Sequence, residues 1–155
     1  MVSPLHRLVL LAVAAVLCRP LLADGPADNI PTNVRRIPKL GIDVPADKRQ
    51  ELEAGLKELR SAIDEVRQKN LPQVSELLPD VEIFYKAVHD ALVYQEFFDP
   101  KELDEAARQL AAGKNRAREL MALKPNQKPS WASETGLVVR GYVSKIDGSV
   151  QPYGL

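Results

Sequence analysis

The stretch that decides the fold is "PADKRQELEAGLKELRSAIDEVRQK", residues 45–69. Its apolar residues recur at spacings of four and three positions, which places them along one side of an α-helix. They are Leu52, Leu56, Leu59, Ile63 and Val66. Glu53–Lys57 and Glu65–Lys69 stand four positions apart, a spacing that favours ion pairs along a helix. We therefore predict an amphipathic helix from about Pro45 to Lys69 that packs against other helices.

The same patterning predicts two more helices. The second runs from about Pro79 to Gln95, and the third runs from about Pro100 to Leu123. Asp99 precedes the proline that starts the third helix, and Glu102 follows three positions after that acid, which is the arrangement of a capping box. Gly113 lies inside this helix, where glycine costs about 1 kcal/mol relative to alanine. We expect it to permit a close helix crossing.

The hydrophobic pattern changes in the last 20 residues, "GLVVRGYVSKIDGSVQPYGL", residues 136–155. Apolar and polar residues alternate there, and β-branched and aromatic residues are frequent. Asp147-Gly148 stands between two such runs, and this dipeptide is typical of a tight hairpin turn. We predict two strands around that turn. Because the second strand has hardly begun at Leu155, we expect a hairpin that is truncated.

These patterns predict a mainly α protein. A three-helix antiparallel bundle is expected over residues 46–123, followed by a loop over residues 124–135 and a C-terminal β-hairpin over residues 136–155. Residues 24–45 contain four prolines, which remove backbone donors and oppose helix formation. We therefore predict an extended, proline-rich leader that lies over the domain as a strap.

The first 23 residues have the features of a secretory signal peptide. Arg7 precedes an apolar run from Leu8 to Cys18, and Ala23 supplies a small residue for cleavage. The apolar run is too short to cross a bilayer comfortably. Cleavage after Ala27 and an uncleaved anchor remain alternatives. We expect a secreted or periplasmic chain with no stable membrane span after cleavage.

Charge and cysteine content exclude several function classes. The chain has 21 basic and 21 acidic residues, which argues against a nucleic-acid partner, since such proteins usually carry a basic excess. Cys18 is the only cysteine, and it lies in the predicted signal peptide. The mature chain would therefore have no disulfide and no cysteine-based zinc or redox site, and we expect no cofactor.

The sequence contains no G-x-S-x-G, P-loop, G-x-G-x-x-G or H-E-x-x-H motif. His89 is the only histidine after the predicted signal peptide. Asp90 lies about 100° further round the helix, so we predict no dyad with it and expect Tyr85, one turn earlier, as the neighbour. Glu82 is two turns away, too far to share a metal ion. We interpret His89 as a residue of the helix surface or the core edge.

Ser144-Lys145 has the composition of a Ser–Lys dyad, but adjacent residues of a strand face opposite sides of a sheet. Trp131 follows the third helix in a loop, and it could either fill the core or dock on a partner. We expect no catalytic, cofactor-binding or metal-binding residue in this chain, and whether the chain is an enzyme stays open.

Three segments resemble the region ahead of the hydrolase domain in large secreted bacterial α/β-hydrolases of the prolyl-oligopeptidase and esterase type. They are "DVPADKRQELEAGLKELRSAI" (residues 43–63), "FFDPKEL" (residues 97–103) and the alternating stretch from residue 136. In that family the catalytic serine, acid and histidine belong to the domain that follows. The resemblance therefore implies a noncatalytic N-terminal region and transfers no catalytic residue.

Two functional hypotheses follow. The first is a noncatalytic N-terminal module of a secreted serine-hydrolase-like peptidase or esterase, present as a fragment without activity of its own. A truncated gene, a broken reading frame or a stand-alone remnant would each account for it. Its partner would be the missing hydrolase domain or a strand that pairs with residues 136–155. The alternative is a free-standing periplasmic helical interaction module.

Overall fold

The computed structural model of the chain describes residue 30, residues 39–69 and residues 71–154. The predicted signal peptide, residues 1–23, lies outside the described residues. The predicted leader up to Pro38 also lies outside them, apart from Ile30.

Four α-helices and one two-stranded sheet make up the described part of the chain. In order they are α1 (Ala46–Gln68), α2 (Pro72–Leu77), α3 (Pro79–Tyr94), α4 (Lys101–Ala122), a short 3-10 helix (Ser130–Ser133), β1 (Val139–Val143) and β2 (Val150–Gly154). The prediction of a mainly helical chain with a C-terminal antiparallel hairpin is confirmed.

The apolar stripe of α1 forms one side of the core. Its five predicted members, Leu52, Leu56, Leu59, Ile63 and Val66, are all buried. α1 packs against α3 and α4, which also pack against each other. Gly113 of α4 lies where these helices meet, because an added Cβ would stand 2.8 Å from Leu59 Cδ2 and 2.9 Å from Phe84 Cβ. The close crossing predicted at Gly113 is confirmed.

The end of α1 is joined to the end of α4 by Lys69. We predicted an ion pair with Glu65, but the Lys69 ammonium instead donates to three backbone carbonyls: those of Leu120 (3.2 Å), Leu123 (2.7 Å) and Met121. The last carbonyls of a helix have no intrahelical donor, and the helix dipole attracts a cation to that end. Lys69 therefore caps α4, which outweighs a surface pair on its own helix.

Glu102 caps the start of α4 as predicted. Its Oε2 accepts from the backbone N–H groups of Phe98 (2.7 Å) and Asp99 (3.3 Å). The Asp99 carboxylate accepts from the N–H of Lys101 (2.8 Å), one residue earlier than a full capping box requires. The reciprocal pattern is therefore present only on the Glu102 side.

Residues 39–45 lie beside the chain that follows α3. The Gly41 N–H donates to Gln95 O (2.6 Å), and the Ile42 N–H donates to Phe97 O (2.7 Å). Gln95 ends α3 in the left-handed conformation, with φ 56° and ψ 55°. A Cβ added to Gly41 would overlap the Phe97 carbonyl oxygen, so only glycine permits this approach. We call Gly41, Ile42, Gln95 and Phe97 the strap seat.

The hairpin has its predicted strands but a different turn. β1 and β2 pair antiparallel with Val143 opposite Val150, so six residues, 144–149, join them instead of the tight Asp147-Gly148 turn that we predicted. Inside this loop the Gly148 N–H donates to Ser144 O (3.0 Å), and the Asp147 carboxylate accepts from the Ser149 N–H (3.1 Å). These local bonds satisfy the loop backbone, which removes the need for a tighter turn.

Candidate functional site: an anchored hairpin

A buried carboxylate, that of Asp80 in the first turn of α3, holds the hairpin on the helices. Its side chain is 2% exposed. Oδ2 accepts hydrogen bonds from the Trp131 indole Nε1 (2.9 Å) and from Arg140 Nε (2.7 Å), and Oδ1 accepts from the Gly141 backbone N–H (2.7 Å). A buried charge is tolerated when it is both paired and hydrogen-bonded, and Asp80 meets both conditions.

Arg116 of α4 closes the other side of this cluster. Its guanidinium lies 4.9 Å from the ring centroids of both Phe84 and Trp131, within the range of a cation–π contact. One guanidinium nitrogen donates to Asp80 O (3.0 Å) and to Val139 O (2.8 Å). Burial lowers the pKa of Arg116 from its usual value, while the nearby Asp80 charge opposes that shift.

Gly141 is the point of closest approach between β1 and the helices. A Cβ added there would overlap the Pro79 carbonyl oxygen and would stand 2.9 Å from Ile83 Cγ2. β1 therefore lies directly on the first turn of α3. We call Asp80, Arg116, Trp131, Arg140 and Gly141 the hairpin seat.

The hairpin seat occupies the outer edge of β1. In an antiparallel pair, alternate residues direct their N–H and C=O groups toward the partner strand or away from it. Because the Ser144 N–H bonds to Ser149 O (2.8 Å), this alternation directs the groups of Val139 and Gly141 away from β2. These are the groups that Arg116 and Asp80 bind.

The outer edge of β2 carries Pro152, which stands opposite Gly141 in the register. At this position the backbone points away from β1, so the proline costs the hairpin no hydrogen bond and offers no N–H to a further strand. Prolines on edge strands oppose strand addition. A partner is therefore better received by a face of the hairpin than by either edge at these positions.

One face of the hairpin exposes two tyrosines. Tyr142 and Tyr153 lie on the side opposite to the one on which Gly141 meets α3, since neighbouring strand residues alternate. They are 49% and 39% exposed, and their ring centroids stand 6.0 Å apart in an edge-to-face arrangement. We call Tyr142, Gln151 and Tyr153 the tyrosine face. Ile146, in the loop between the strands, is 97% exposed.

His89 lies on the surface of α3, with its side chain 43% exposed. Its ring stacks on Tyr85 with centroids 5.4 Å apart, which confirms the predicted neighbour. Our prediction that Asp90 forms no pair with it is wrong, because His89 Nδ1 lies 2.9 Å from Asp90 Oδ1. Burial raises the pKa of Asp90, but hydrogen bonds from His89 and Lys86 outweigh it and hold that pKa below its ordinary value.

Ser144 and Lys145 lie in the loop between the strands, so the strand geometry we assumed for them is wrong. Ser144 Oγ accepts from the Ile146 N–H at 3.2 Å, which makes it part of the loop structure. Trp131 is 3% exposed and belongs to the hairpin seat, so of the two alternatives for this residue the core position is the one found.

Within residues 39–69 and 71–154, no three His, Cys, Asp or Glu side chains gather in a way that could hold a metal ion. None of the helices described in this part of the chain is both long enough and apolar enough to cross a membrane.

Asp80 was not among the residues that we singled out from the sequence. An acid next to a proline at a helix start is ordinarily explained by the helix dipole, and nothing local distinguishes Asp80 from such residues. One signal was available, because the indole N–H of a buried tryptophan usually needs an acceptor. This signal indicates that Trp131 needs an acceptor, but it does not identify Asp80 as that acceptor.

No protein-family model matches the sequence, and neither curated proteins nor solved structures yield a match. The functional assignment therefore depends on the geometry of the hairpin and on the residues that carry the resemblance described above.

Proposed function

We propose that this chain is a noncatalytic interaction module that presents a rigidly mounted β-hairpin to a partner through its tyrosine face. One observation carries the proposal: Asp80 fixes the outer edge of β1 to α3, while Tyr142 and Tyr153 stay exposed. Exposed aromatic groups are enriched at binding surfaces, and a mounted surface loses little conformational entropy on binding.

In its specific form, the proposal makes the chain the N-terminal module of a secreted serine-hydrolase-like peptidase or esterase. The signal peptide over residues 1–23, the proline-rich leader and an antiparallel arrangement of α1, α3 and α4 all belong to this form. Its support is the resemblance of residues 43–63, 97–103 and 136–155 to the region ahead of such hydrolase domains. The tyrosine face would then be covered by β structure of the hydrolase domain.

A second candidate is a free-standing periplasmic helical interaction module. The hairpin seat favours it, because the hairpin is held by α3 and α4 of the same chain, and Trp131 of the 3-10 helix donates to the same Asp80 carboxylate. This candidate predicts that the hairpin folds without help from a following domain. Pairing of residues 136–155 with a partner strand stays a prediction, and it would have to use the outer edge of β2 despite Pro152.

The noncatalytic part of the proposal is tested by hydrolysis assays on the purified mature chain with nitrophenyl esters and peptide nitroanilides. We expect rates equal to those of buffer. Hydrolysis above buffer that disappears in a His89→Ala variant would overturn this part. Labelling by a fluorophosphonate would overturn it independently, since that reagent marks activated serines.

The interaction part is tested by photocrosslinking in the native host. A chain with p-benzoylphenylalanine in place of Tyr142 should form a discrete adduct, whereas the same group in place of the exposed Lys57 on α1 should not. Mass spectrometry of the adduct separates the two candidates, because a serine hydrolase supports the first and another protein supports the second. Equal labelling at both positions, or none at position 142, would contradict the proposal.

A further inference from the structure

A shallow groove of about 230 Å³ runs between α3 and α4, and no residue of the hairpin lines it. Its apolar lining consists of three alanines, Ala87 and Ala91 of α3 and Ala106 of α4, together with Val88 and Phe97. Small side chains on both helices leave room for a further helix to approach at the usual interaxial distance of about 8–10 Å. The shape therefore suits a helix more than a compact ligand.

The charged residues that line this groove all have the same sign. They are Glu96, Glu102 and Glu105. Glu105 also pairs with Arg108 at 2.7 Å, but Arg108 does not line the groove. Hydrogen bonds from Gln109 and Arg108 hold the pKa of Glu105 below its ordinary value, so this carboxylate is ionised at neutral pH.

The neighbouring groove between α1 and α4 differs in charge. It is lined by Glu51, Glu58 and Lys114, and Lys114 pairs with Glu58 at 2.7 Å. A cation therefore lines this groove beside its two glutamates, whereas the charged residues that line the α3–α4 groove are all acidic. Of these two grooves, the α3–α4 groove is the more acidic.

The apolar lining continues toward the end of α3. Ala87, Ala91 and Tyr94 follow at spacings of four and three, which places them on one stripe of the helix. Tyr94 is 62% exposed. A helix that binds along this stripe would contact Tyr94 at one end, and Glu96 lies two positions after Tyr94 in the sequence.

We propose that the α3–α4 groove binds an amphipathic helix of a partner protein whose apolar residues recur at spacings of three and four and are flanked by Lys or Arg. Apolar side chains of that helix would lie on the apolar lining, and its cations would face the three glutamates. This inference goes beyond the proposed function and does not depend on it, because it concerns a different surface.

The test uses two synthetic 18-residue helical peptides that share one leucine pattern, one with lysine and one with glutamate at the remaining positions. Calorimetric titration into the mature chain should show binding of the lysine peptide, weakened by added salt because exposed charges are screened. Amide shifts in an NMR titration should centre on residues 87–109. Equal binding of both peptides, no binding of either, or shifts centred on the hairpin would each overturn the proposal.

Two matched variants locate the site. Ala87→Arg places bulk and positive charge in the groove and should weaken binding by about tenfold or more, as like charges repel in an interface. Ala54→Arg makes the same change in the α1–α4 groove and should leave binding within about twofold. Both positions are exposed, so both variants should fold. Equal loss in the two variants would show general charge attraction and would overturn the proposal.

Failure here is separable from failure of the proposed function. Tyr142→Ser should leave the affinity for the lysine peptide unchanged, while it removes an aromatic ring of the tyrosine face. Loss of peptide binding in that variant would move the site to the hairpin and overturn the groove assignment.

Discussion

Two glycines seat two segments of the chain at opposite ends of α3. Gly141 lets β1 lie on the carbonyl of Pro79, at the start of the helix, and Gly41 lets residues 39–45 lie on the carbonyl of Phe97, beyond its end. The steric requirement is the same, since an added Cβ would overlap a backbone oxygen in both places. The chemistry that holds the two segments differs.

The strap seat is held by backbone hydrogen bonds and by one exposed carboxylate, that of Asp43. Two backbone hydrogen bonds join Gly41 and Ile42 to the chain after α3, and the Gln95 side chain adds a bond to Asp43 at 3.0 Å. The hairpin seat instead has a buried carboxylate that is bound by an arginine, an indole and a backbone N–H. Hydrogen bonds of the backbone or at the surface each contribute modestly to the free energy of unfolding. Loss of one partner from a buried ion pair, by contrast, leaves a buried charge unpaired.

The largest effect is expected for Asp80→Ala. It removes the acceptor of Trp131, Arg140 and Gly141 together, and breaking a buried pair in this way costs about 3–5 kcal/mol in the free energy of unfolding. Urea unfolding followed by circular dichroism measures it. Asp64→Ala is the control, because Asp64 is an exposed partner of Arg67 and should cost about 1 kcal/mol or less. Similar losses in the two variants would mean that the buried carboxylate is not what holds the hairpin.

The two glycines can be compared directly by Gly141→Ala and Gly41→Ala. Each forces a backbone shift that should cost about 1–3 kcal/mol. Hydrogen exchange should separate them, because Gly141→Ala loses amide protection throughout β1 and β2, while Gly41→Ala loses it only around Ile42. Gly55→Ala is the control, where the added Cβ meets only the flexible end of Leu110 at 2.8 Å. Loss of hairpin protection in Gly41→Ala would show that the two seats are coupled.

Gln95 sharpens the comparison at the strap seat. Its left-handed conformation is unfavourable for a side chain, yet its amide nitrogen binds Gly41 O (3.3 Å) and Asp43 Oδ1 (3.0 Å). The Gln95→Ala variant loses these two hydrogen bonds but keeps the unfavourable left-handed conformation. The Gln95→Gly variant loses the same bonds, and glycine adopts this conformation without strain. We expect the free energy of unfolding of the glycine variant to be about 1 kcal/mol higher than that of the alanine variant. An alanine variant that is equally stable would mean that the backbone is not strained here.

The smallest effect is expected at Asp147, in the hairpin loop. Hydrogen bonds from Ser144 and Ser149 hold the pKa of Asp147 below its usual value of 3.8. A lowered folded-state pKa stabilises the loop above pH 3.8, and this contribution is lost as the pH falls through the lower folded-state value. The midpoint of the movement of the Ser149 amide signal in an NMR titration should therefore lie below pH 3.8. An Asp147→Asn variant should lack that movement, and a midpoint above pH 3.8 would contradict the assignment.

The helices and the existence of the hairpin could be predicted because their signals are local. The spacing of the apolar residues from Leu52 to Val66 is enough to predict which side of the helix is buried. Glu102 could be predicted as a cap because it lies within four residues of the groups that it caps. The six-residue loop was not predicted, because Asp-Gly is typical of a two-residue turn and the bonds of Asp147 to Ser149 that favour a longer loop were not considered.

The two seats could not be predicted, since their partners are far apart in the sequence. Asp80 is 51 residues from Trp131 and 60 from Arg140, and helical periodicity carries no information on such pairs. Gly41 stood among prolines, where a glycine is expected in any case. Its close approach to Phe97 depends on where α3 ends, which the local sequence does not state.

The hairpin seat contains a natural fluorescent probe, Trp131. It is the only tryptophan in the chain. The guanidinium of Arg116 lies over its ring, and the carboxylate of Asp80 accepts from its N–H. The emission of an indole depends on nearby charge and on contact with water. Any event that lifts the hairpin from α3 should therefore shift the emission wavelength of Trp131, and this shift can be followed without an added label.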